Sequence, residues 1–288
     1  MLIDHQVILP AFPAVDTKNE VLQQRFQVGG PVPTALAVLN RMGVETSFIG
    51  KWSNDAFGTM ISQDLAKEKI TFSDSIIKQK GQTGFAHVWV DQSTGTRTVA
   101  YHRSDLGEIH VDEIQELATP AVRWLMLDGW SGEAAIDLAQ KVKASGGHVF
   151  LDAGAPKSGT KKLLPHVDVI NCPRHFSSKF FGHDDTQLAS RQLMDQGVRK
   201  TIFTRGDQGA VLIDAHQMIE QPAIPITAVD TTGAGDVFCG AFVFGLLSEW
   251  DDARCLEFAA ATAALKCTKL GNRDAIPTKS QITQLLNR

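Results

Sequence analysis

The residues whose types and spacing could carry chemistry lie in Asp230-Thr231-Thr232-Gly233-Ala234-Gly235-Asp236 and the apolar run that follows. Upstream, Met218 to Val229 is short, apolar and broken by Pro222 and Pro225, the composition of a strand and turn feeding a loop. Downstream, Val237, Phe238, Ala241, Phe242, Leu246 and Leu247 recur at helical spacing, so the loop opens a helix. Gly233 and Gly235 let the backbone approach a ligand, and the unsatisfied amides of a helix's first turn attract anions, with phosphate the natural guest. Asp236 falls among those donors, where a carboxylate stays ionised and can take a proton from a hydroxyl. An anion pocket beside a base describes phosphoryl transfer to an alcohol. The plainer alternative is that Asp236 caps the helix and the glycines only shape a turn. The sequence contains no Gly-x4-Gly-Lys-Ser/Thr, and Gly-Ala-Gly-Asp-Val-Phe lacks the third glycine of a dinucleotide fingerprint.

Elements that would position this loop can be read along the chain. From Trp124 onward, apolar strand-like segments alternate with helical ones, the pattern of a doubly wound, mainly parallel sheet flanked by helices. Ligands of such sheets sit at the carboxyl ends of strands, where Asp128, Asp152, Asn171 and Thr204 fall, although each could equally cap a turn. Thr83 to Ser104 alternates apolar and polar residues about Asp91–Gly95 and predicts a β-hairpin. Met1 to Pro10 reads as a strand carrying Asp4, followed by short extended pieces. Gly29-Gly30 leads into a helix over Ala35–Gly43, then a strand over Val44–Ile49 and a loop, Gly50–Gly58, entering another helix. Asp251 and Asp252 cap an Ala-rich helix, Ala253–Thr268, that ends near Gly271.

Composition bounds the partners. The 288 residues are 43% hydrophobic and 21% charged with a net charge of −4, ordinary for a globular α/β chain. No basic block points to nucleic acid or to an anionic membrane surface, which leaves a small molecule. The cysteines, Cys172, Cys239, Cys255 and Cys267, show no C-x-x-C pairing and read as buried thiols of a reducing compartment. The histidines lack metal-ligand spacing. No apolar run reaches membrane-spanning length and no signal-like leader opens the chain, so the expected location is the cytoplasm.

Asp230 to Asp236 with its small-residue helix resembles the C-terminal signature of the ribokinase-like (PfkB) sugar kinases. The block from Gly29 to Gly58 resembles their N-terminal signature, in the expected order. The resemblance implies one ribokinase-like α/β domain over 1–288, with a small β-sheet lid built from about 5–28 and 83–104. It implies ATP and Mg²⁺ as cofactors and a sugar-like acceptor. Asp236 would be the base, with Gly233, Ala234 and Gly235 as the anion pocket. Asp4, Gly29, Gly30, Thr34 and Arg97 would hold the acceptor. Thr204, Gly206 and Gly209, in a Thr-x-Gly-x-x-Gly loop, would hold the nucleotide with Asn171 and Gly271. Asp230 resembles part of a loop that binds a monovalent cation, K⁺, in some members. Lid-to-lid pairing would make a homodimer, since an exposed hairpin edge invites it.

Three departures bear on the substrate. The family's first strand would have to lie before Met1 for Asp4 to match its sugar-binding aspartate. Thr34 stands where many relatives have an asparagine, and a hydroxyl reaches less far than an amide. Arg174 stands where the Asn-x-x-Glu motif has its glutamate, a replacement similar to that in the subgroup near the ketohexokinases. The resemblance therefore implies an ATP-dependent kinase of a hydroxyl, a primary alcohol, on a sugar or sugar-like molecule. A catalytically silent binding protein on the same fold and a kinase of a non-sugar alcohol or nucleoside stand as the alternatives.

Overall fold

The computed structural model describes residues 1–115, 122–130 and 132–287. The chain divides into two compact units, Met1–Gly107 with Pro225–Gly240 and Ala261–Arg288 in one, Glu108–Ile224 with Ala241–Ala260 in the other.

In the first unit, β1 (Leu2–Leu9), β2 (Gln23–Val28), β5 (Gly84–Asp91) and β6 (Arg97–His102) form a four-stranded sheet in the order β2-β1-β5-β6. Two further strands, β3 (Trp52–Ser53) and β4 (Ile77–Lys78), pair in parallel on their own. The hairpin expected over Thr83–Ser104 is β5–β6, with Val88 opposite Val99. Strand β1 runs antiparallel to β2 and parallel to β5, so Asp4 faces Gln27 on one side and Ala86 on the other. Side chains alternate across the sheet. One face contributes Ile8, Ala86, Val88 and Val90 to a buried apolar cluster with Leu2 and Leu270. His5, Phe26, Phe85 and His87 make an aromatic strip, with the His5 and Phe26 rings stacked at 4.5 Å.

The strand expected over Val44–Ile49 does not form. Phe48 donates its amide to the Thr71 carbonyl and Thr71 donates to Thr46, leaving an isolated bridge at Ser47, because one short neighbour gives no ladder to extend. The helix before it spans Pro31–Arg41 and starts four residues earlier than its apolar pattern indicated. Proline suits a helix's first turn, where its missing N–H is not needed.

In the second unit, β7 (Trp124–Leu127), β8 (His148–Asp152), β9 (Val169–Pro173), β10 (Lys200–Thr204), β11 (Ala210–Ile213) and β12 (Met218–Gln221) form one sheet in the order β12-β11-β10-β9-β8-β7. β7 to β10 are parallel and the last two strands turn back antiparallel, the mainly parallel sheet that the sequence predicts. Its core sets Val149, Leu151, Ile170, Cys172 and Phe203 against Ala139, Phe176, Ala189 and Leu193 from the helices. The helix Ala234–Leu247 begins at the glycine loop, as the sequence predicts, and its residues through Gly240 belong to the first unit and the rest to the second. Among the described residues, no helix is long and apolar enough to cross a membrane, and all four cysteines are free and buried.

Candidate active site

Strand β1 sends two polar side chains, Asp4 and Gln6, into buried positions, at 7% and 0% exposure. Gly29 ends β2's return to the sheet, and its missing side chain is what accommodates Asp4. A Cβ on Gly29 would lie 2.6 Å from Asp4 Oδ2 and 2.7 Å from Oδ1. Gly30 caps the helix Pro31–Arg41 at a φ of 104°, a conformation that costs other residues steric strain. Burial, then the negative charge of Asp236, pushes the Asp4 carboxyl up to about 7, while Arg273 and Arg97 pull it down. Asp4 and Asp236 therefore interact electrostatically, and near neutral pH Asp4 is poised between acid and carboxylate.

Asp236 is the acidic residue of the first turn of Ala234–Leu247. The turn before it is tight: the Ala234 amide donates to the Thr231 carbonyl at 3.2 Å and the Val237 amide to the Gly233 carbonyl at 2.9 Å. Gly233 has a φ of 75°, and a Cβ there would lie 2.6 Å from Asn272 Oδ1. A Cβ on Gly235 would meet nothing within 4 Å, so the helix start is open on that side.

The hairpin tip reaches this loop. Thr231 Oγ1 donates to the Gly95 carbonyl at 3.3 Å, and Arg97 Nη1 lies 3.4 Å from the Thr231 carbonyl. Beneath the loop, Asp230 is wholly buried and takes hydrogen bonds from the Gln6 side-chain amide at 2.6 Å, the Thr232 amide at 2.8 Å and the Gly271 amide at 2.9 Å. Gln27 donates to Gln6 Oε1 and accepts the Asn272 amide, extending the network across β1 and β2. Burial works against the Asp230 charge, but Lys266 and these donors outweigh it and hold the carboxyl below its ordinary range.

Thr34 does not present a free hydroxyl. It is fully buried, donates to the Gly30 carbonyl at 2.9 Å and accepts from Arg273 Nη1 at 2.7 Å. The same guanidinium donates from Nε to Asp64 at 3.1 Å, and its buried Nη2 has no hydrogen-bond partner among the described residues.

In the second unit, Asn171 and Thr204 sit on neighbouring parallel strands, with Thr204 opposite Pro173. Asn171 is 2% exposed and donates to Asp152 at 3.3 Å, while its buried Oδ1 has no partner among the described residues. Gly206 and Gly209 carry positive φ values of 63° and 80° in the β10–β11 turn, which closes through the Arg205 amide to the Gly209 carbonyl at 2.8 Å. Arg174 braces this turn, donating to the Arg205 carbonyl at 2.7 Å and to Asp207 at 2.9 Å. Beside it lies a cavity of about 370 Å³ whose lining includes Arg174, Ser177, Thr186, Arg205 and Gln208.

The structure thus gathers Asp4, Gly29, Gly30, Thr34, Arg97, Asp230 and Gly233–Asp236 in the first unit, and Asn171, Thr204, Gly206 and Gly209 in the second. Gly271 lies in the first unit, bonded to Asp230. Sequence reasoning missed Gln6, Lys266 and Arg273. For Lys266 the available signal was a single charged residue inside the apolar run Phe258–Cys267; Gln6, which follows Asp4 and His5 in the first strand, carried no such signal.

The model of the pfkB family of carbohydrate kinases matches residues 1–279. The chain belongs to that family. It is 25% identical to ribokinase of Haemophilus influenzae, over 98% of this chain and 95% of that protein. It is 21% identical to ketohexokinase of Mus musculus, over 93% of each. In fold it is similar to the ribokinase of Thermotoga maritima, with a TM-score of 0.83 at 24% identity, covering 99% of this chain and 96% of that one. It is also similar to the ribokinase of Arabidopsis thaliana in complex with ribose and ATP, with a TM-score of 0.81 at 23% identity, covering 99% and 96%.

Proposed function

We propose that this kinase transfers the γ-phosphoryl group of ATP to a primary hydroxyl of a sugar or sugar-like acceptor. The observation that carries the reading is the carboxylate of Asp236 in the first turn of a helix whose start is open at Gly235, within electrostatic reach of a second buried carboxyl, Asp4. Asp236 removes the proton from the attacking hydroxyl, or orients it, as charge develops on the oxygen. Backbone amides of Gly233 and Gly235 stabilise the transferring phosphoryl group, the Ala234 amide being taken by the Thr231 carbonyl, and the Gly235 side has room for it. Asp4 grips neighbouring hydroxyls of the acceptor. Arg97, on the hairpin over the loop, faces the acceptor, and the four-stranded sheet acts as a lid that keeps water from the phosphate.

Asn171, Thr204, Gly206 and Gly209 hold the nucleotide. Among the described residues, no cluster of three or more histidine, cysteine or acidic side chains forms a metal cage. This fits Mg²⁺ held through ATP phosphates and water, the ion's usual mode. Mg²⁺ would neutralise phosphate charge, and the unpartnered Asn171 Oδ1 is an oxygen suited to its water shell. An E. coli putative ribokinase II of the same fold was solved with ATP and Mg²⁺. Buried cysteines outside any disulfide and ATP use support a cytoplasmic protein. The exposed β6 edge and exposed Phe26, Val99 and Tyr101 support a homodimer through the lid.

The deciding experiment is ADP formation from ATP and Mg²⁺ with ketohexoses, pentoses, sugar acids and nucleosides in turn. Acceptor-dependent ADP release is expected with at least one sugar. ATP binding with no turnover on any acceptor would instead favour a silent binding protein.

A further inference from the structure

Lys266 is fully buried, the one charged residue in the apolar run Phe258–Cys267. Its ammonium donates to the Asp230 carbonyl at 2.8 Å and lies 3.5 Å from Asp230 Oδ2, with both side chains at 0% exposure. Removing two charges from water is costly, and an apolar pair of similar volume is often at least as stable, so stability alone is a weak account of this one. What distinguishes the pair is its location. Asp230 opens the turn that runs through Gly233–Gly235 to Asp236, and the ammonium binds the turn's backbone as well as its carboxylate. A backbone carbonyl and a carboxylate oxygen converging on one buried cation are oxygen donors of the kind hard metal cations take, and here the chain supplies the cation itself.

Charge bookkeeping agrees. Burial lowers the Lys266 pKa, opposed chiefly by Asp230, whose own carboxyl is held ionised. Arg97 adds positive charge nearby, and Cys267 is pushed up by burial and stays a neutral thiol.

We infer that Lys266 is a built-in monovalent cation: its ammonium fixes the Asp230–Gly235 turn so that the helix-start amides face the phosphates, and makes phosphoryl transfer independent of added K⁺. Lys266 touches neither substrate nor reacting atoms in this scheme and is a positioning residue. The inference rests on the kinase reading above.

The test compares wild type with Lys266→Ala, full length, in chloride salts of K⁺, NH₄⁺, Li⁺ and tetramethylammonium at equal ionic strength, reading both turnover and melting temperature. Wild-type turnover should agree within about twofold across the salts, less than 0.5 kcal/mol in barrier. Lys266→Ala should lose about tenfold or more in tetramethylammonium and regain it saturably with K⁺ or NH₄⁺, but not with Li⁺. Its melting temperature should rise with the same two ions, and the wild type's should not. A wild-type rate that climbs about tenfold on adding K⁺ overturns the inference, and that arm needs no variant to fold. A variant damaged equally in every salt, by both readouts, also overturns it and leaves Lys266 a structural residue. No ADP formation by wild type in any salt would defeat the kinase reading instead, and the melting curves would still decide the role of Lys266.

Discussion

The Asp4 carboxylate occupies the space that a side chain on Gly29 would fill, with both its oxygens within 2.7 Å of the position of that missing Cβ. Gly29→Ala therefore forces either the carboxylate or strand β1 to move, and the Leu2 methyl at 2.7 Å blocks the other escape. Overpacking of this kind costs about 1–3 kcal/mol. The expected outcome is a lower melting temperature together with a raised KM for the acceptor, since the displaced group is the one proposed to hold it. A variant with unchanged KM for the acceptor would show that Asp4 is not a sugar ligand.

Asp4 also makes stability depend on pH. Its carboxyl titrates near 7 in the folded protein, against an ordinary value of 3.8, because burial and Asp236 disfavour its charge. The folded state therefore binds the proton more tightly than the unfolded chain. Its stabilising effect is complete below about pH 4 and is lost as pH rises toward and through 7, by an amount on the order of a few kcal/mol. Asp4→Asn removes the titration. Denaturant unfolding from pH 5 to 8 should show wild-type stability falling relative to the variant, and parallel curves would contradict the assignment.

Asp236→Asn keeps the shape of the side chain and removes the base. Turnover should fall about 10²- to 10⁴-fold while calorimetric ATP binding persists. Retention of more than about a tenth of wild-type kcat would exclude Asp236 as the base and return it to a helix-capping role.

Legibility in the sequence followed the distance between partners. The loop Asp230–Asp236 could be read because its chemistry is local: two glycines, a helix start and a carboxylate within one turn. The mainly parallel sheet could be read because strand-helix alternation is a short-range pattern. Gln6 meets Asp230 from 224 positions away and Thr34 meets Arg273 from 239, so nothing near either residue announced its partner. Val44–Ile49 looked like a strand by its composition, but strand formation depends on a neighbour, and among the described residues only Thr71 offers a bridge. Thr34 shows the same limit at the site. Its position suggested a substrate contact, and the structure shows its hydroxyl engaged by a distant arginine.

That engagement separates two roles for Thr34. Thr34→Val keeps the side-chain shape but removes the acceptor from a buried guanidinium whose Nη2 already lacks a partner, and removes the bond to the Gly30 carbonyl. A buried donor left unmatched costs about 1–3 kcal/mol. At roughly 2–4 °C per kcal/mol for a chain of 150–250 residues, and somewhat less at this length, the melting temperature should drop by several degrees. Thr34→Ser, which restores the hydroxyl, should recover most of it. Because Arg273 lowers the Asp4 pKa, a guanidinium freed from Thr34 also alters the charge around Asp4, so a moderate rise in acceptor KM accompanies the loss of stability. If Thr34 instead bonded the acceptor directly, the valine variant would raise KM with its melting temperature unchanged. Melting curves and acceptor KM measured on the same two variants distinguish the outcomes.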